Sequence, residues 1–288
     1  MAIYNLGSVN IDYFYSLPHL VRPGETLAAN NFTQGLGGKG ANQSVAIAKA
    51  GGRVKHIGAM HPADKRYFDQ LEALNIDTTH LFMSETPTGH GIVMVDEESA
   101  ENQILVYPGA NFAITEQMVD EGLKDATASD WALCQNETSQ TEHFMKCAKA
   151  KGMKLCYSAA PFDADKTLVM LPLINMLVVN EIEAKDLERA LNRPIKECGV
   201  DHILVTLGSR GVRYIGSEDE FILPSPTVDA VDTTGAGDTF LGLFLARYDQ
   251  TGDLKASLHF AVTGAAIQVT RPGTADAIPS LEEIELAL

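Results

Sequence analysis

Asp232-Thr-Thr-Gly-Ala-Gly-Asp238-Thr-Phe240 places two acids and two glycines within seven positions, directly ahead of an apolar helical run through Leu241, Leu243, Phe244 and Leu245. Gly235, Ala236 and Gly237 carry little bulk, so their backbone N–H groups can turn toward a ligand. A helix beginning near Asp238 adds unsatisfied N–H groups and the positive end of its dipole. Together these make a site for an anion. Asp238 stands where the anion would sit, an odd place for a negative charge unless it does chemistry there. Phosphoryl transfer with Asp238 as the base is the first expectation. The bland alternative is a capping Asp preceded by turn glycines, and the stretch alone does not separate the two.

Outward from this stretch, strands and helices alternate. Strands are expected at Ile3 to Val9, Arg53 to Met60, Trp131–Cys134, Lys154–Ser158, Met176–Val179, His202–Thr206 and Gly211–Ile215. Helices are expected at Gly40 to Ala50, Tyr67 to Leu74, Glu116–Ala126, Thr141–Lys151, Glu181–Leu191, Thr239–Asp249, Leu254–Thr270 and Leu281–Ala287. This alternation predicts an α/β fold with a mainly parallel central sheet and helices on both faces. Residues 1–288 read as one unit. Two β-rich pieces, about 13–33 and 88–107, read as a small lid beside the sheet's ligand edge, with a hairpin loop at Asp96 to Asn102.

Composition narrows the function. The net charge is −16, which repels phosphate backbones and anionic membranes at long range. A small phosphorylated ligand remains compatible, given helix N-termini, a few basic side chains and a metal ion. No run approaches a membrane span, and no basic leader precedes the first strand. Cys134, Cys147, Cys156 and Cys198 form no C-x-x-C pair, which fits a reducing, cytoplasmic setting. The histidines show no H-E-x-x-H spacing, so no zinc site is expected.

Gly35-Leu-Gly37-Gly-Lys-Gly40 satisfies G-x-G-x-x-G, but it does not follow the first strand directly as a dinucleotide fingerprint must. It is not a P-loop either, because Gly40 stands where Ser or Thr is required. Gly37-Gly-Lys-Gly-Ala-Asn42-Gln reads better as a unit: glycines for backbone contact, Lys39 for charge, and Asn42 as an amide on the first turn of a helix. A polyol needs such convergent donors and acceptors.

These strings carry a resemblance. Gly7-Ser-Val-Asn10-Ile-Asp12, Pro23-Gly-Glu-Thr26, Gly37 to Gln43, Gly109-Ala-Asn111, Asn180-Glu-Ile-Glu183, Thr206 to Gly211, Asp232 to Phe240 and Val269-Thr-Arg-x-Gly273 resemble, in order, the motifs of the ribokinase (PfkB) family of sugar kinases. They span nearly the whole chain, and the Gly37 to Gln43 string points to the ribokinase branch. The resemblance implies a ribokinase-like three-layer fold. It implies ATP-dependent phosphorylation of the primary hydroxyl of a pentose, D-ribose first. The alternatives are another sugar, a nucleoside, or a non-catalytic sugar-binding regulatory protein.

By position, the resemblance makes Asp238 the base and Gly235, Ala236 and Gly237 the anion hole. Asn10, Asp12, Gly38, Lys39, Asn42 and Glu137 would hold the sugar. Asn180 and Glu183 would organise Mg2+, and Thr206, Gly208 and Val262 would lie near the nucleotide. Asp232, Thr234, Gln268, Arg271 and Gly273 would surround a monovalent cation such as K+, partly through carbonyls. The chain departs from the family pattern at Ser158-Ala-Ala-Pro161, at Met60-His-Pro-Ala-Asp64, in the short Leu187–Val200 region, and at Ala277, where a Ser hydroxyl is usual. The open edges of a β lid also suggest a homodimer that pairs two lids.

Overall fold

The computed structural model describes residues 1–99 and 101–288. The chain opens with β1 (Ile3–Leu6), β2 (Asn10–Leu17), β3 (Asn31–Gly37) and α1 (Lys39–Lys49). β4 (Val54–Met60), α2 (Lys65–Ala73), β5 (Asp77–Met83), β6 (Gly89–Asp96) and β7 (Asn102–Tyr107) follow. Next come α3 (Glu116–Gly122), β8 (Trp131–Cys134), α4 (Thr141–Ala150), β9 (Lys154–Ser158), α5 (Ala164–Met170), β10 (Met176–Asn180) and α6 (Glu181–Leu191). The last part holds β11 (His202–Thr206), β12 (Val212–Gly216), β13 (Glu220–Leu223), α7 (Ala236–Thr251), α8 (Leu254–Gln268) and α9 (Leu281–Glu285).

The main sheet has the order β13-β12-β11-β10-β9-β8-β1-β4-β5. β12 and β13 run antiparallel at one edge; the other pairings are parallel. Its central strands are apolar on both sides because both faces are covered. The period of two is visible in where each side chain packs. Met176, Val178 and Leu204 join the core under α1, α2, α7, α8 and α9. Leu177, Val179, Ile203 and Val205 join the core under α3, α4, α5 and α6.

α1 lies almost on the backbone of the loop after β1. A Cβ added at Gly40 would stand 2.3 Å from Gly7 Cα and 2.3 Å from Ser8 N, so only glycine permits this approach. That contact brings the first turn of α1 to the carboxyl end of β1, where open α/β sheets bind ligands.

The second sheet has the order β3-β2-β6-β7. β2 pairs antiparallel with β3 and parallel with β6, and Asn10 stands opposite both Gly37 and Gly89. The sheet therefore reaches back to Asn10 and on to Gly37, beyond the expected 13–33. It starts beside Val9, so the lid and the ligand edge share a boundary. In the loop expected at 96–102, Ala100 lies outside the described residues.

Candidate active site

α7 begins at Ala236 rather than near Asp238, because Gly235 takes the left-handed conformation, φ 76°, that closes the preceding loop. Asp238 thus falls inside the first turn, and α7 has no side-chain cap. Its carboxylate turns toward α1 instead. Gln43 Nε2 donates to Oδ1 at 2.8 Å, and Asn42 Nδ2 donates to Oδ2 at 3.3 Å. A residue serving only as a helix cap would spend its oxygens on the N–H groups of its own helix.

Burial raises the pKa of Asp238, and Lys39, Gln43 and Asn42 only oppose the rise. A carboxylate raised toward neutrality is a stronger proton acceptor than an exposed one. Lys39 shows the reciprocal effect, its pKa raised first by Asp238 and also by Glu137, Glu183 and Asp12.

Gln43 is held from behind by a buried chain of amides. Its Oε1 accepts from Gln135 Nε2 at 2.7 Å, and the same nitrogen donates to Asn5 Oδ1 at 3.0 Å. Asn5 Nδ2 donates to Ser44 Oγ at 2.9 Å, and Ser44 meets His56 Nδ1 at 2.9 Å. His56 Nε2 lies 3.1 Å from Gly7 O, which assigns its proton to that nitrogen. Burial pushes the pKa of His56 down to about 4, so the ring is neutral. Such a network fixes the amide of Gln43, with Gln135 Oε1 the one buried oxygen of these amides left without a partner.

On the lid side, Glu137 Oε2 accepts from Ser8 Oγ at 2.5 Å and from the backbone N–H of Lys39 at 2.9 Å. Asn10 Oδ1 accepts from Asn111 Nδ2 at 2.8 Å, while Asn111 Oδ1 accepts from Val9 N at 2.9 Å. Burial, then Glu137, raises the Asp12 pKa to about 6. Gly38, at φ 90°, turns the chain into α1 beside Asn10. The sequence reading missed Ser8, Gln43 and Gln135 and gave Asn111 no role. Ser8, Gln43 and Asn111 sat within the quoted strings, but their partners are distant in sequence. In the degenerate segment, Asp64 Oδ2 accepts from Thr88 Oγ1 at 2.6 Å, and Thr88 directly precedes β6.

Two clefts meet at the start of α7. One, of about 180 Å³, includes Lys39, Ser158, Asn180, Glu183 and Asp238 in its wall. The other, of about 490 Å³, includes Thr206, Gly208, Val228, Phe240 and Val262. Thr206, Thr233, Ala236 and Gly237 line both. Asn180 and Glu183 form a capping box on α6: Asn180 Oδ1 accepts from Ile182 N and Glu183 N, and Glu183 Oε2 from Asn180 N. Burial raises the Glu183 pKa.

The loop ahead of α7 is tied to the end of α8. Asp232 accepts from Thr234 N at 2.9 Å and Gly273 N at 3.0 Å, one bond to each oxygen. Gln268 Nε2 donates to Thr234 O at 2.7 Å and reaches Gly273 O at 3.5 Å. The Arg271 side chain turns away to Glu283 at 2.6 Å.

Known proteins resemble this chain over nearly its whole length. Residues 3–281 match the family described as pfkB family carbohydrate kinase. The chain is similar to a ribokinase of Haemophilus influenzae, 33% identical over 96% of this chain and 95% of that one. It is similar to a deoxyribokinase of Salmonella typhi, 31% identical over 98% and 97%. Among solved structures, a Cryptococcus neoformans ribokinase in complex with ADP superposes with a TM-score of 0.85 at 29% identity, covering 100% of this chain and 99% of that one. The chain belongs to the pfkB family of carbohydrate kinases.

Proposed function

We propose that this kinase transfers the γ-phosphoryl group of ATP to the primary hydroxyl of a pentose, with D-ribose as first choice. The observation that carries the reading is the Asp238 carboxylate. It is buried in the first turn of α7, donated to by Gln43 and Asn42, and set in the wall of the smaller cleft, next to Gly237, which lines both. The names of the ribokinase relatives support the sugar, and the ADP complex supports the nucleotide.

In this reading Asn10, Asp12, Gly38, Lys39, Asn42 and Glu137 hold the sugar hydroxyls. The carboxylate oxygens of Asp12 and Glu137 accept, and Asn42 and Lys39 donate. Asp238 takes the proton of the primary hydroxyl as its oxygen attacks the γ-phosphorus and the bond to ADP breaks. The N–H groups of Gly235, Ala236 and Gly237 meet the oxygens of the transferring group, and Lys39 offsets its charge. Thr206, Gly208 and Val262 form the nucleotide wall. Phosphoryl transfer depends chiefly on such positioning and charge stabilisation. The lid excludes water, which would otherwise compete for the phosphoryl group.

Mg2+ fits the acidic side of the smaller cleft. Glu183 spends Oε2 on the Asn180 N–H, which leaves its other oxygen as a hard donor, while Asn180 fixes that carboxylate through the capping box. When bound with ATP, the ion neutralises phosphate charge. A monovalent cation such as K+ would be held by the loop of Asp232, Thr234, Gln268, Arg271 and Gly273, partly through backbone carbonyls. Each Asp232 oxygen and the Thr234 carbonyl accepts one N–H group and keeps a second lone pair, and Gln268 Oε1 is buried without a partner. The ion would stiffen the loop ahead of α7, and no step runs through it.

A deoxypentose is the second reading, supported by the Salmonella relative; a nucleoside is the third. A coupled ADP-release assay over pentoses, deoxypentoses, hexoses and nucleosides separates them. Turnover greatest on D-ribose supports the proposal, and intact ATP binding with no turnover on any acceptor sinks it.

The same reading includes a homodimer through the lid. Ile104, Leu105 and Val106 of edge strand β7 are 60%, 62% and 59% exposed, an apolar strip that a second lid would cover. A monomer at all concentrations in sedimentation would remove this part. No helix among the described residues is long and apolar enough to cross a membrane, and a cytoplasmic setting suits the free cysteines.

A further inference from the structure

On the far side of the main sheet from α7, three unlike donors converge. His143 and Cys147 stand one turn apart on α4, and Asp120 faces them from α3. His143 Nε2 lies 2.9 Å from Asp120 Oδ1 and 3.4 Å from Cys147 Sγ, and Cys147 Sγ lies 3.6 Å from Asp120 Oδ1. Among the described residues this is the cluster whose ligand atoms all lie within 4.8 Å of one another.

Two of the three distances match one face of a zinc tetrahedron. With bonds of about 2.3 Å to sulfur and about 2.0–2.2 Å to nitrogen and oxygen, its edges are about 3.4–3.6 Å. Two of the observed edges already agree. The third, Asp120 to His143, is a hydrogen bond that has to lengthen by about half an ångström as an ion replaces the shared proton. The arrangement does not suit a nucleophile–base–acid relay. There the acid and the nucleophile engage opposite ring nitrogens, whereas Asp120 and Cys147 both address Nε2.

We propose that Asp120, His143 and Cys147 form a three-ligand site for a zinc-class divalent cation, with water as the fourth ligand. Sulfur and imidazole select zinc over magnesium, which prefers an all-oxygen shell, so the site stands apart from the magnesium demand of catalysis. The sequence reading dismissed zinc because it sought paired histidines. The signal was His143-x-x-x-Cys147, one helical turn, completed by an acid from another helix. A bound ion would staple α3 to α4. Asn111 precedes α3 and Glu137 precedes α4, so the staple would also fix the spacing of two segments beside the lid.

The test uses the full untagged chain, stripped with a chelator and held in excess Mg2+ and ATP to occupy the kinase clefts. Zn2+ is titrated against a chromophoric chelator, and Co2+ is used as a spectroscopic probe. The expected result is one equivalent bound, a thiolate-to-cobalt charge-transfer band, and at least ~10-fold weaker binding in Cys147→Ser and in His143→Ala. Zn2+ should raise the melting temperature of the wild type by mass action but not that of the variants. Cys134, Cys156 and Cys198 are buried, so alkylation of the native chain reports on Cys147, and Zn2+ should protect it. Retained kinase turnover shows that each variant folds. Absence of the thiolate band, alkylation unaffected by Zn2+, or equal zinc affinity in both folded variants overturns the site.

Discussion

Replacing Gln43 with Leu removes the shorter of the two hydrogen bonds to Asp238 while keeping the side chain's bulk. Gln135 Nε2 keeps its bond to Asn5 Oδ1, so the change does not strand that amide group. A hydrogen bond to a charged group contributes about 1.5–3 kcal/mol. That bond favours the ionised carboxylate, so its loss pushes the Asp238 pKa further up, in the direction burial already drives it. At 1.36 kcal/mol per pH unit, the acid limb of the rate profile should move up by about one to two units. The ionised fraction below the midpoint then falls roughly 10- to 100-fold. The assay is ADP release with saturating sugar and ATP across pH, alongside a thermal melt. A lowered plateau with an unmoved acid limb, in a variant that melts like wild type, would refute the hydrogen-bond reasoning.

Three further outcomes follow from other residues. Asp12, with its pKa raised to about 6, is ionised above that pH and protonated below it. If its carboxylate accepts sugar hydroxyls, the sugar KM should climb by up to about tenfold per pH unit below 6, and Asp12→Asn should flatten that slope. Gly40→Ala drives a methyl into the backbone at Gly7 and Ser8, which cannot move like a side-chain tip. It should cost about 1–3 kcal/mol or more, read as a fall in melting temperature, with kcat reduced because Asn42 and Gln43 shift. Gln268→Ala removes the amide that spans Thr234 O and Gly273 O. If a monovalent cation sits in this loop, wild-type turnover should be higher in potassium than in tetramethylammonium chloride, and the variant should lose that activation. Equal wild-type turnover in the two salts would remove the cation.

The alternation of strands and helices was legible because each buried strand is a short apolar run between amphipathic helices. Three elements escaped that pattern. β5 is a half-exposed edge strand whose Asp77-Thr-Thr-His start carries little apolar signal, and its pairing with β4 is irregular. β13 is an edge strand of only 4 residues. α5 is a 7-residue helix, too short to show a period, although Asp163 caps it. At the site, Asp238 was legible as a candidate from its own stretch. The helix boundary was not, because it depends on the backbone at Gly235. The inward turn of the carboxylate was not either, because its donors lie 196 and 195 residues away. The burial that raises the Asp238 pKa was not legible either, because a motif reveals neighbouring charges but not burial.

The most direct test of the account is kcat and sugar affinity for Asp238→Asn. The account predicts a fall in kcat of at least ~10²-fold, the usual scale for a general base, with sugar affinity and melting temperature close to wild type. Wild-type turnover in that variant would contradict it.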